Sequence, residues 1–434
     1  MENILAQAEK VSEEAEVFMV SSEQTSIQFE ANRLKHIQSK QSNSMALRII
    51  RQGKIGYAVT TELGDGQNLV NIAVETAQFG MPARFEFPHF ISYPSVEAFD
   101  PNTGSTSIEE MTRLGGELIT RITDHTPDII CEAVVSKGES SVSIRNSHGG
   151  QANYRKSIFG LGVEGTLIRD TDMLFVGEGE SSCHPLLEPG AIAEVVLQQL
   201  ELARNQAVVT NGQLPVVFTP NGVASALLPP LTAAFNGKVV LEGASPIGNR
   251  LGESVFDKRL TMWDNATIAY RPESRSCDDE GMPSQCTPLI EQGAVANFLY
   301  DLQIAALAHT QSTGNGRRNR GALPAPAATA LVIAPGNTAF VEMVSDMKEG
   351  MVIEQLMGAE QGNILSGSFS GNVLLGYKVE NGNIIGRVKD TMVSGNIYQV
   401  LKDITAIGSE TKWVGGFLNT PHLYCPSLSV ATKG

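Results

Sequence analysis

The sequence is poor in cysteine, in basic residues and in long apolar runs. Its five cysteines are scattered over 434 residues, which excludes the disulfide framework of a small secreted domain. No apolar run approaches the ~20 residues that a membrane-spanning helix needs. The N-terminus, MENILAQAEKVSEEAEVF, has neither the basic start nor the apolar centre of a signal peptide. We therefore expect a soluble cytoplasmic protein that makes no use of a membrane.

The charge balance argues against a nucleic-acid partner. Lys and Arg number 32 against 47 Asp and Glu, which gives a net charge of -15. Nucleic-acid binding depends on cations that neutralise phosphates, so direct action on DNA is disfavoured. Hydrophobic residues at 42% and charged residues at 18% are an ordinary globular balance, and the length allows two or more domains.

Apolar periodicity predicts alternating helices and strands in the first half. A helix is predicted at about residues 4–16, a strand hairpin turning at Gln52–Lys54, and a second helix near 67–78. Ser107–Glu110 has the pattern of a capping box that opens another helix. The strand-rich block that follows echoes the first, so we expect an internal duplication of a helix-plus-strands unit. A helix at about 191–205 closes this half.

The pattern changes near residue 210, where VVTNGQLPVVF brings an Asn-Gly pair and a proline. We predict an α/β (α+β) N-terminal domain at residues 1–209 and a second domain at 210–434. In the second domain, strand-like runs separated by Gln-Gly and Asn-Gly turns predict a mostly β structure.

Residues that could carry metal or nucleophilic chemistry are widely spaced. The two closest histidines, His125 and His148, are 23 positions apart, so no HExxH-type pair lies on one helix. His422 and Cys425 are three apart, which on a strand turns them to opposite faces. The stretch 367–371, GSFSG, has phenylalanine at its centre where a nucleophile elbow needs serine.

The stretch CDDEGMPSQC, residues 277–286, gathers three consecutive acids between two cysteines. Cys277 and Cys286 are nine apart, unlike the close pairs of zinc sites. Gly and Pro after the acids predict a loop leading into a hairpin around residues 291–293. Adjacent carboxylates favour a cationic or N–H-rich neighbour. The arginine loop GNGRRNR, residues 314–320, is the candidate neighbour, and it is equally compatible with an anion site and with a solvated loop.

Several segments along nearly the whole chain form a recognisable series. In the first half these are FEANRLKHIQSKQSNSMALRIIRQGKIGYAVT and RNSHGG. The second half adds ASPIGNRLGE (244–253), CDDEGMPSQCTPLIEQGAVANFLYD (277–301), STGNGRR (312–318) and GYKVENGNIIGRVKDTMVSGN (376–396). In order and spacing together they resemble the TldD/PmbA family, whose members are also called modulators of DNA gyrase.

Within this family, TldD-type chains carry a zinc-binding HExxxH helix, and chains of the TldE/PmbA kind lack it. The corresponding stretch here, NGVASALLPPLTAAFNG (221–237), contains no His, Glu or Cys, and its two adjacent prolines would end or kink a helix. The chain therefore resembles the TldE/PmbA kind. The resemblance transfers no catalytic residue and no metal ligand, and it implies zinc only in a TldD-type partner.

The resemblance further implies a barrel-like C-terminal domain and a dimer, with a TldD-type subunit or with itself, that cleaves unfolded or leader peptides. The peptide would lie in a groove, held by strand addition. Because the acidic and arginine loops would surround that groove, candidates for shaping it or for contacting a partner are Asp278, Asp279, Glu280, Gly281 and Arg317. The alternative is a self-associating module that binds a peptide or protein without protease activity.

Overall fold

The N-terminal half consists of two units with the same element order: helix, three strands, helix. A computed structural model describes residues 1–319 and 322–433, so Arg320 of the arginine loop lies outside the described residues. The elements of this half are α1 (Glu2–Ala8), β1 (Glu14–Glu30), β2 (Arg33–Arg51), β3 (Lys54–Thr60), α2 (Gly66–Ala77), α3 (Pro101–Ser105), α4 (Ile108–His125), β4 (Ile130–Asn146), β5 (Gln151–Arg169), β6 (Asp172–Ser182) and α5 (Gly190–Leu202).

The six strands form one antiparallel sheet in the order β3-β2-β1-β4-β5-β6. The two units therefore meet where β1 pairs with β4, from Glu16 opposite Asn146 to Phe29 opposite Ala133. The first two strands have the same lengths in both units, 17 and 19 residues. This repetition agrees with the internal duplication that the sequence predicts.

One face of the sheet, called the inner face below, packs on helices. Side chains alternate between the two faces along each strand. Toward the β1–β2 turn, Ile27, Val135 and Leu161 join a core that includes residues of α4 and α5. At the other end, Leu47 and Ile49 join a core that includes residues of α1 and α2. The opposite, outer face is covered at this second end by the C-terminal half.

The helix predicted at residues 4–16 is wrong in its second half. α1 ends at Ala8, and Glu14 already begins β1. Residues Ala15 to Phe18 are all buried, because both faces of the sheet are covered at this end. A strand buried on both faces shows no alternation between apolar and polar residues, so its start could not be separated from the helix by pattern.

The C-terminal half is mostly strand. Its elements are β7 (Gln206–Ala207), β8 (Gly212–Phe218), α6 (Pro220–Ala226), α7 (Leu228–Ala234), α8 (Gly237–Leu241), β9 (Met262–Asn265), β10 (Cys286–Glu291), β11 (Ala294–Val295), α9 (Leu302–Leu307), β12 (Gly316–Arg318), β13 (Pro324–Pro326), β14 (Leu331–Ile333), α10 (Phe340–Ser345), β15 (Glu349–Met357), β16 (Ser368–Glu380), β17 (Asn383–Val388), β18 (Thr391–Asn396), α11 (Ile397–Lys402), β19 (Ala406–Val414) and β20 (Leu418–Thr432), with 3-10 turns at Ala359–Gln361 and Ile364–Ser366.

Five of these strands close into a barrel. β8 pairs with β15, β15 with β16, β16 with β18, β18 with β20, and β20 returns to β8. Val216, Phe218, Ile353 and Leu423 belong to its apolar core. The α/β fold with a barrel-like C-terminal domain is therefore confirmed. The predicted boundary at residue 210 falls between β7 and β8.

Two details of this half bear on the sequence predictions. The hairpin around residues 291–293 is present, but its second strand ends at Val295, because the chain then bonds to the α7–α8 connection through Leu299. Among the described residues, no helix combines the length and apolar character needed to cross a membrane.

Candidate functional site

The acidic loop, residues 277–283, is organised around the buried carboxylate of Asp278. Asp278 Oδ1 accepts hydrogen bonds from the backbone N–H groups of Glu280 (2.9 Å) and Met282 (2.8 Å). Its Oδ2 accepts from the N–H of Gly316 in the arginine loop (2.8 Å). Asp278 thus fixes both the turn of its own loop and the position of the neighbouring one.

Gly281 completes the turn in a conformation that suits glycine. Its φ of +74° lies in the left-handed region, which side chains with a Cβ rarely adopt. Its carbonyl accepts a hydrogen bond from the hydroxyl of Tyr93 (3.1 Å), a residue of the long connection after α2. The turn is therefore anchored to the N-terminal half as well as to its own domain.

Glu280 reaches from this turn into the N-terminal sheet. Its Oε1 lies 2.5 Å from Nη1 of Arg48 on β2, and its Oε2 accepts from the backbone N–H of Leu302 at the start of α9 (2.8 Å). Arg48 also pairs with Glu16 of β1, at 3.2 Å between Nη2 and Oε1. Arg48, Glu280 and Glu16 are all buried, and together they join the two halves of the molecule.

Aromatic rings complete the surroundings of Arg48. The centroids of Phe85 and Phe87 lie 4.7 and 4.9 Å from the guanidinium carbon, within the range of a cation–π contact. A desolvated arginine is tolerated only when it is paired and hydrogen-bonded. The residues around it supply two carboxylates to its Nη atoms and two ring faces, while its buried Nε has no hydrogen-bond partner among the described residues.

The arginine loop supplies N–H groups to the acidic loop through Arg318, whereas the cations that pair with the acids lie outside it: Arg48 for Glu280, and Arg275 for Asp279 at 3.6 Å. The backbone N–H of Arg318 donates to Asp279 Oδ2 (2.7 Å), its Nε donates to the Asp279 carbonyl (3.0 Å), and its Nη2 pairs with Glu16. Arg317 points away, to Glu273 at 3.4 Å, and is 41% exposed. The structure therefore brings together Asp278, Asp279 and Glu280 but leaves Arg317 at the rim.

Burial and the charge of Glu280 raise the pKa values of two nearby acids, Asp278 and Asp301. Burial, and next the charge of Glu280, raise the pKa of Asp278 to about 8. The same two causes raise the pKa of Asp301, the residue before α9, to about 7. Asp301 Oδ1 also caps α9 by accepting from the N–H of Ile304 (2.7 Å). These bonds give the acids a structural role at the contact between the two halves. A role for the acids at a substrate groove remains a prediction.

The stretch 221–237, which corresponds to the zinc helix of TldD-type chains, forms two short helices. α6 begins after Thr219, whose Oγ1 accepts from the N–H of Gly222 (3.3 Å). α6 ends at Ala226 and α7 begins at Leu228. Pro229 and Pro230 lack the N–H groups that would continue a single helix. The break expected from the sequence is present.

A lysine lies among the carboxylates next to α6. The ammonium of Lys412 on β19 pairs with Glu178 of β6, and Asn221 Nδ2 of α6 lies 3.4 Å from Glu178 Oε2. On β15, Glu354 accepts from Thr219 Oγ1 (3.0 Å). Burial raises the pKa of Glu354, while the nearby Lys412 charge partly opposes that rise.

This donor set does not fit a catalytic zinc ion. Such an ion takes three protein ligands, commonly histidines with a carboxylate, and the residues that the structure describes contain no group of three His, Cys, Asp or Glu able to hold a metal. His422 packs against Phe340, with ring centroids 4.6 Å apart and the ring planes tilted by 33°. Burial, with the Lys412 charge, lowers the pKa of His422 to about 4. Cys425 belongs to the barrel core. Lys412 supplies the positive charge in this cluster.

The residues that sequence reasoning missed are Arg48, Glu16, Lys412 and Glu178. Arg48 did leave a signal, because a lone arginine inside the apolar run MALRII needs a buried partner. The others gave none, since each acquires its role from a strand distant in the sequence.

Two family models match the chain: PmbA/TldA metallopeptidase domain 1 at residues 15–77 and the PmbA/TldA metallopeptidase C-terminal domain at residues 211–432. An uncharacterised protein of Methanocaldococcus jannaschii is 26% identical over 416 residues, 93% of each chain. A metalloprotease of Methanothermobacter thermautotrophicus is 24% identical over 431 residues, 96% of this chain and 92% of the relative. The crystal structure of TldE from Thermococcus kodakarensis has the same fold, with a TM-score of 0.91, 21% identity and 99% coverage of both chains.

The raised pKa of Asp301 predicts how stability depends on pH. The native state keeps a proton on Asp301 that the unfolded chain releases above about pH 4, so this stabilisation is present at low pH and is lost as the pH rises toward 7. D301N, which keeps a capping oxygen, should make the pH dependence of the unfolding free energy between pH 5 and 7 less negative by about 1 kcal/mol per pH unit. Urea titrations at several pH values measure this slope.

The matched control is D65N. Asp65 caps α2 in the same way, by accepting from the N–H of Asn68 (3.2 Å), but it is exposed. Its substitution should leave the pH slope unchanged. Equal slopes for D301N and the unmodified chain would show that Asp301 does not hold the proton.

Removing Lys412 should destabilise the fold. K412M leaves Glu178 and Glu354 without their nearby cation, which should lower the unfolding free energy by about 1–2 kcal/mol, less than for a fully buried pair because Lys412 is 37% exposed. Thermal denaturation measures the loss. K238M is the control, since Lys238 lies 4.0 Å from Glu242 on the surface and should change little. A wild-type-like K412M would mean that Lys412 does not neutralise this cluster.

Proposed function

Because the chain belongs to the PmbA/TldD family of metallopeptidases, we propose that it is a TldE/PmbA-like subunit of a zinc metallopeptidase complex and is itself non-catalytic. The complex would cleave unfolded or leader peptides. The zinc ion and the catalytic residues would belong to a TldD-type partner, and this chain would complete the dimer and the peptide groove.

One observation carries this proposal: the positive charge beside α6 is Lys412, and α6 and α7 offer no metal ligand. An ammonium paired with Glu178 keeps that carboxylate from acting as a free ligand or general base. A hydrolytic zinc site needs an open position for water and a nearby proton acceptor. The polar residues around α6 bond to one another instead: Asn221 donates to Glu178, and Thr219 donates to Glu354.

The contacts of the acidic loop support the proposal that this chain helps to form the peptide groove. Glu280 and Arg318 pair with Arg48 and Glu16 of the N-terminal sheet. Asp278 fixes the loop that carries Glu280 against the arginine loop. A peptide that binds by strand addition needs a strand edge in a fixed position, because main-chain hydrogen bonds supply its affinity. A rigid junction between the halves would keep such an edge in place.

The decisive experiment compares the purified chain alone with the chain mixed with a TldD-type subunit that carries HExxxH. We expect the chain alone to contain no stoichiometric zinc by elemental analysis and to leave an unfolded protein substrate intact. The mixture should cleave that substrate, and a partner with its HExxxH histidines replaced should not.

Each component also needs to be assayed separately with added zinc. About one zinc per chain together with cleavage by the chain alone would overturn the proposal. Binding of an unfolded substrate without cleavage, in the presence of an active TldD-type subunit, would favour the alternative of a binding module without a protease role.

A further inference from the structure

Lys156 of β5 lies where the outer face of the N-terminal sheet emerges from beneath the C-terminal half. Two residues before it, Tyr154 packs against a cluster that includes Cys277 of the acidic loop. Two residues after it, the side chain of Ile158 is 40% exposed. Residues two apart on a strand share a face, so Lys156, which is half-buried, stands at the boundary between the covered and the uncovered part of this face.

The ammonium of Lys156 has no partner in the described part of the chain. It forms neither a salt bridge nor a hydrogen bond with residues 1–319 or 322–433. Burial lowers the pKa of Lys156, and the charges of Arg275 and Arg317 lower it further, while the charge of Glu273 opposes them. A half-buried cation beside two others is unfavourable until an anion joins it.

The charges around Lys156 leave one positive charge uncompensated. Arg275 lies 3.6 Å from Asp279, and Arg317 lies 3.4 Å from Glu273. Together with Lys156, the two arginines therefore bring three cations against two acids.

The deeper charges of the junction do not change this balance. Their ion pairs join two arginines to two glutamates: Arg48, Arg318, Glu16 and Glu280. Burial raises the pKa of Asp278 to about 8, so this residue adds little negative charge at pH 7. One positive charge, at the mouth of the junction, is left for a ligand.

Arg275 contributes N–H groups that no described residue uses. Its side chain is only 8% exposed, and its buried Nε and Nη2 have no hydrogen-bond partner in the described ranges of the chain. Leaving buried donors unpaired costs free energy, which a bound acceptor recovers. The planar guanidinium group matches the two oxygens of a carboxylate with parallel N–H bonds.

The floor beside Lys156 is a row of serines that crosses the sheet. Starting from Lys156, the row meets β4, β1 and β2 at Ser140, Ser22 and Ser42. The hydroxyls of Ser22 and Ser42 lie 2.8 Å apart and bond to each other. Short hydroxyl side chains leave room beside the lysine, and a hydroxyl can donate a hydrogen bond to an anion. At the rim, the side chain of Arg317 is 41% exposed.

We propose that Lys156, Arg275 and Arg317 form a carboxylate-binding site at the mouth of the junction between the N-terminal sheet and the C-terminal half. Lys156 and Arg317 would hold the carboxylate, with the unpaired N–H groups of Arg275 behind them and the hydroxyl of Ser140 beside them. A single uncompensated charge suits a carboxylate better than a phosphate monoester, which carries about −1.5 to −2 charges at pH 7. This site gives Arg317 the anion-binding role that the sequence left open.

The carboxylate can belong to a small acid or to the C-terminus of a peptide, and calorimetric titration of the purified chain at low ionic strength and pH 7 separates the two. The probes are N-acetylglycine and N-acetyl-tetraalanine, each compared with its C-terminal amide. Each acid that binds should do so at a single site, and its amide should not bind. Binding of N-acetylglycine would show that a small acid suffices, whereas binding of the peptide acid alone would identify a chain terminus, and either result supports the proposal.

Two variants test the residues themselves. K156M keeps the apolar stem and removes the charge, which should weaken binding of the acid about tenfold, because a charge-assisted bond is lost. R317Q should weaken it about threefold, since Arg317 is exposed and already paired with Glu273. Without ligand, K156M should melt at or above the temperature of the unmodified chain, because it removes a cation that nothing compensates.

The matched controls are K10M and R33Q, which make the same changes at exposed residues after α1 and at the start of β2. Both should leave the affinity for the acid unchanged. The proposal would be overturned if neither acid bound, if inorganic phosphate bound more tightly than both, or if K156M bound as well as K10M. A K156M chain that melts below the unmodified one would also overturn it, because Lys156 would then serve the fold.

This inference goes beyond the proposed function and does not depend on it. Its test uses the chain alone, without a zinc-bearing subunit and without cleavage, so either the carboxylate site or the subunit role can fail while the other stands.

Discussion

One buried guanidinium holds the two halves of the molecule together. Arg48 on the N-terminal sheet lies 2.5 Å from Glu280 of the barrel domain and 3.2 Å from Glu16 of its own sheet. Desolvating these charges costs several kcal/mol for each ion, so the arrangement is stable only while all the partners are present. The acidic loop serves this pairing: Asp278 shapes its backbone, and the turn delivers Glu280 to Arg48. Three acids in a row, which look unfavourable in the sequence, are each used by a different bond.

Caps, turns and helix breaks that depend on residues adjacent in the sequence were predicted correctly. The Ser107 cap, the helix near 67–78, the turn at Gln52 and the break before Pro229 all follow from local chemistry, and all are present. The duplication could also be predicted, because each unit repeats its own pattern. The start of β1 could not, since burial on both faces removes the alternation that identifies a strand.

The candidate site also combines features that neighbouring residues predict with features that only the fold shows. The acids were expected to have an N–H-rich or cationic neighbour in the arginine loop. Arg318 supplies a backbone N–H to Asp279, but the cations that pair with the acids are Arg48 and Arg275. No property of the isolated segment could show that Glu280 would turn toward Arg48, because 232 positions separate them. The pairing of Lys412 with Glu178 is equally non-local, at 234 positions. Sequence motifs identified the region where ligands are missing, but only the fold shows that an ammonium supplies positive charge there.

The internal duplication relates the buried ion pairs of Arg48 to the uncovered part of the outer face of the N-terminal sheet. Glu16 is the third residue of β1, and Glu132 is the third residue of β4, so the two glutamates occupy equivalent positions in the two units. Glu16 is neutralised by Arg48 and by Arg318 from the barrel domain. In the second unit Glu164 of β5 lies opposite Glu132, in the place that Arg48 has opposite Glu16. The barrel domain leaves Glu132 exposed, so among the described residues it faces an acid and has no ion-pair partner. A repeated sheet with one covering domain therefore leaves one of its two equivalent surfaces uncovered, with an acid opposite an acid where the first unit has an ion pair.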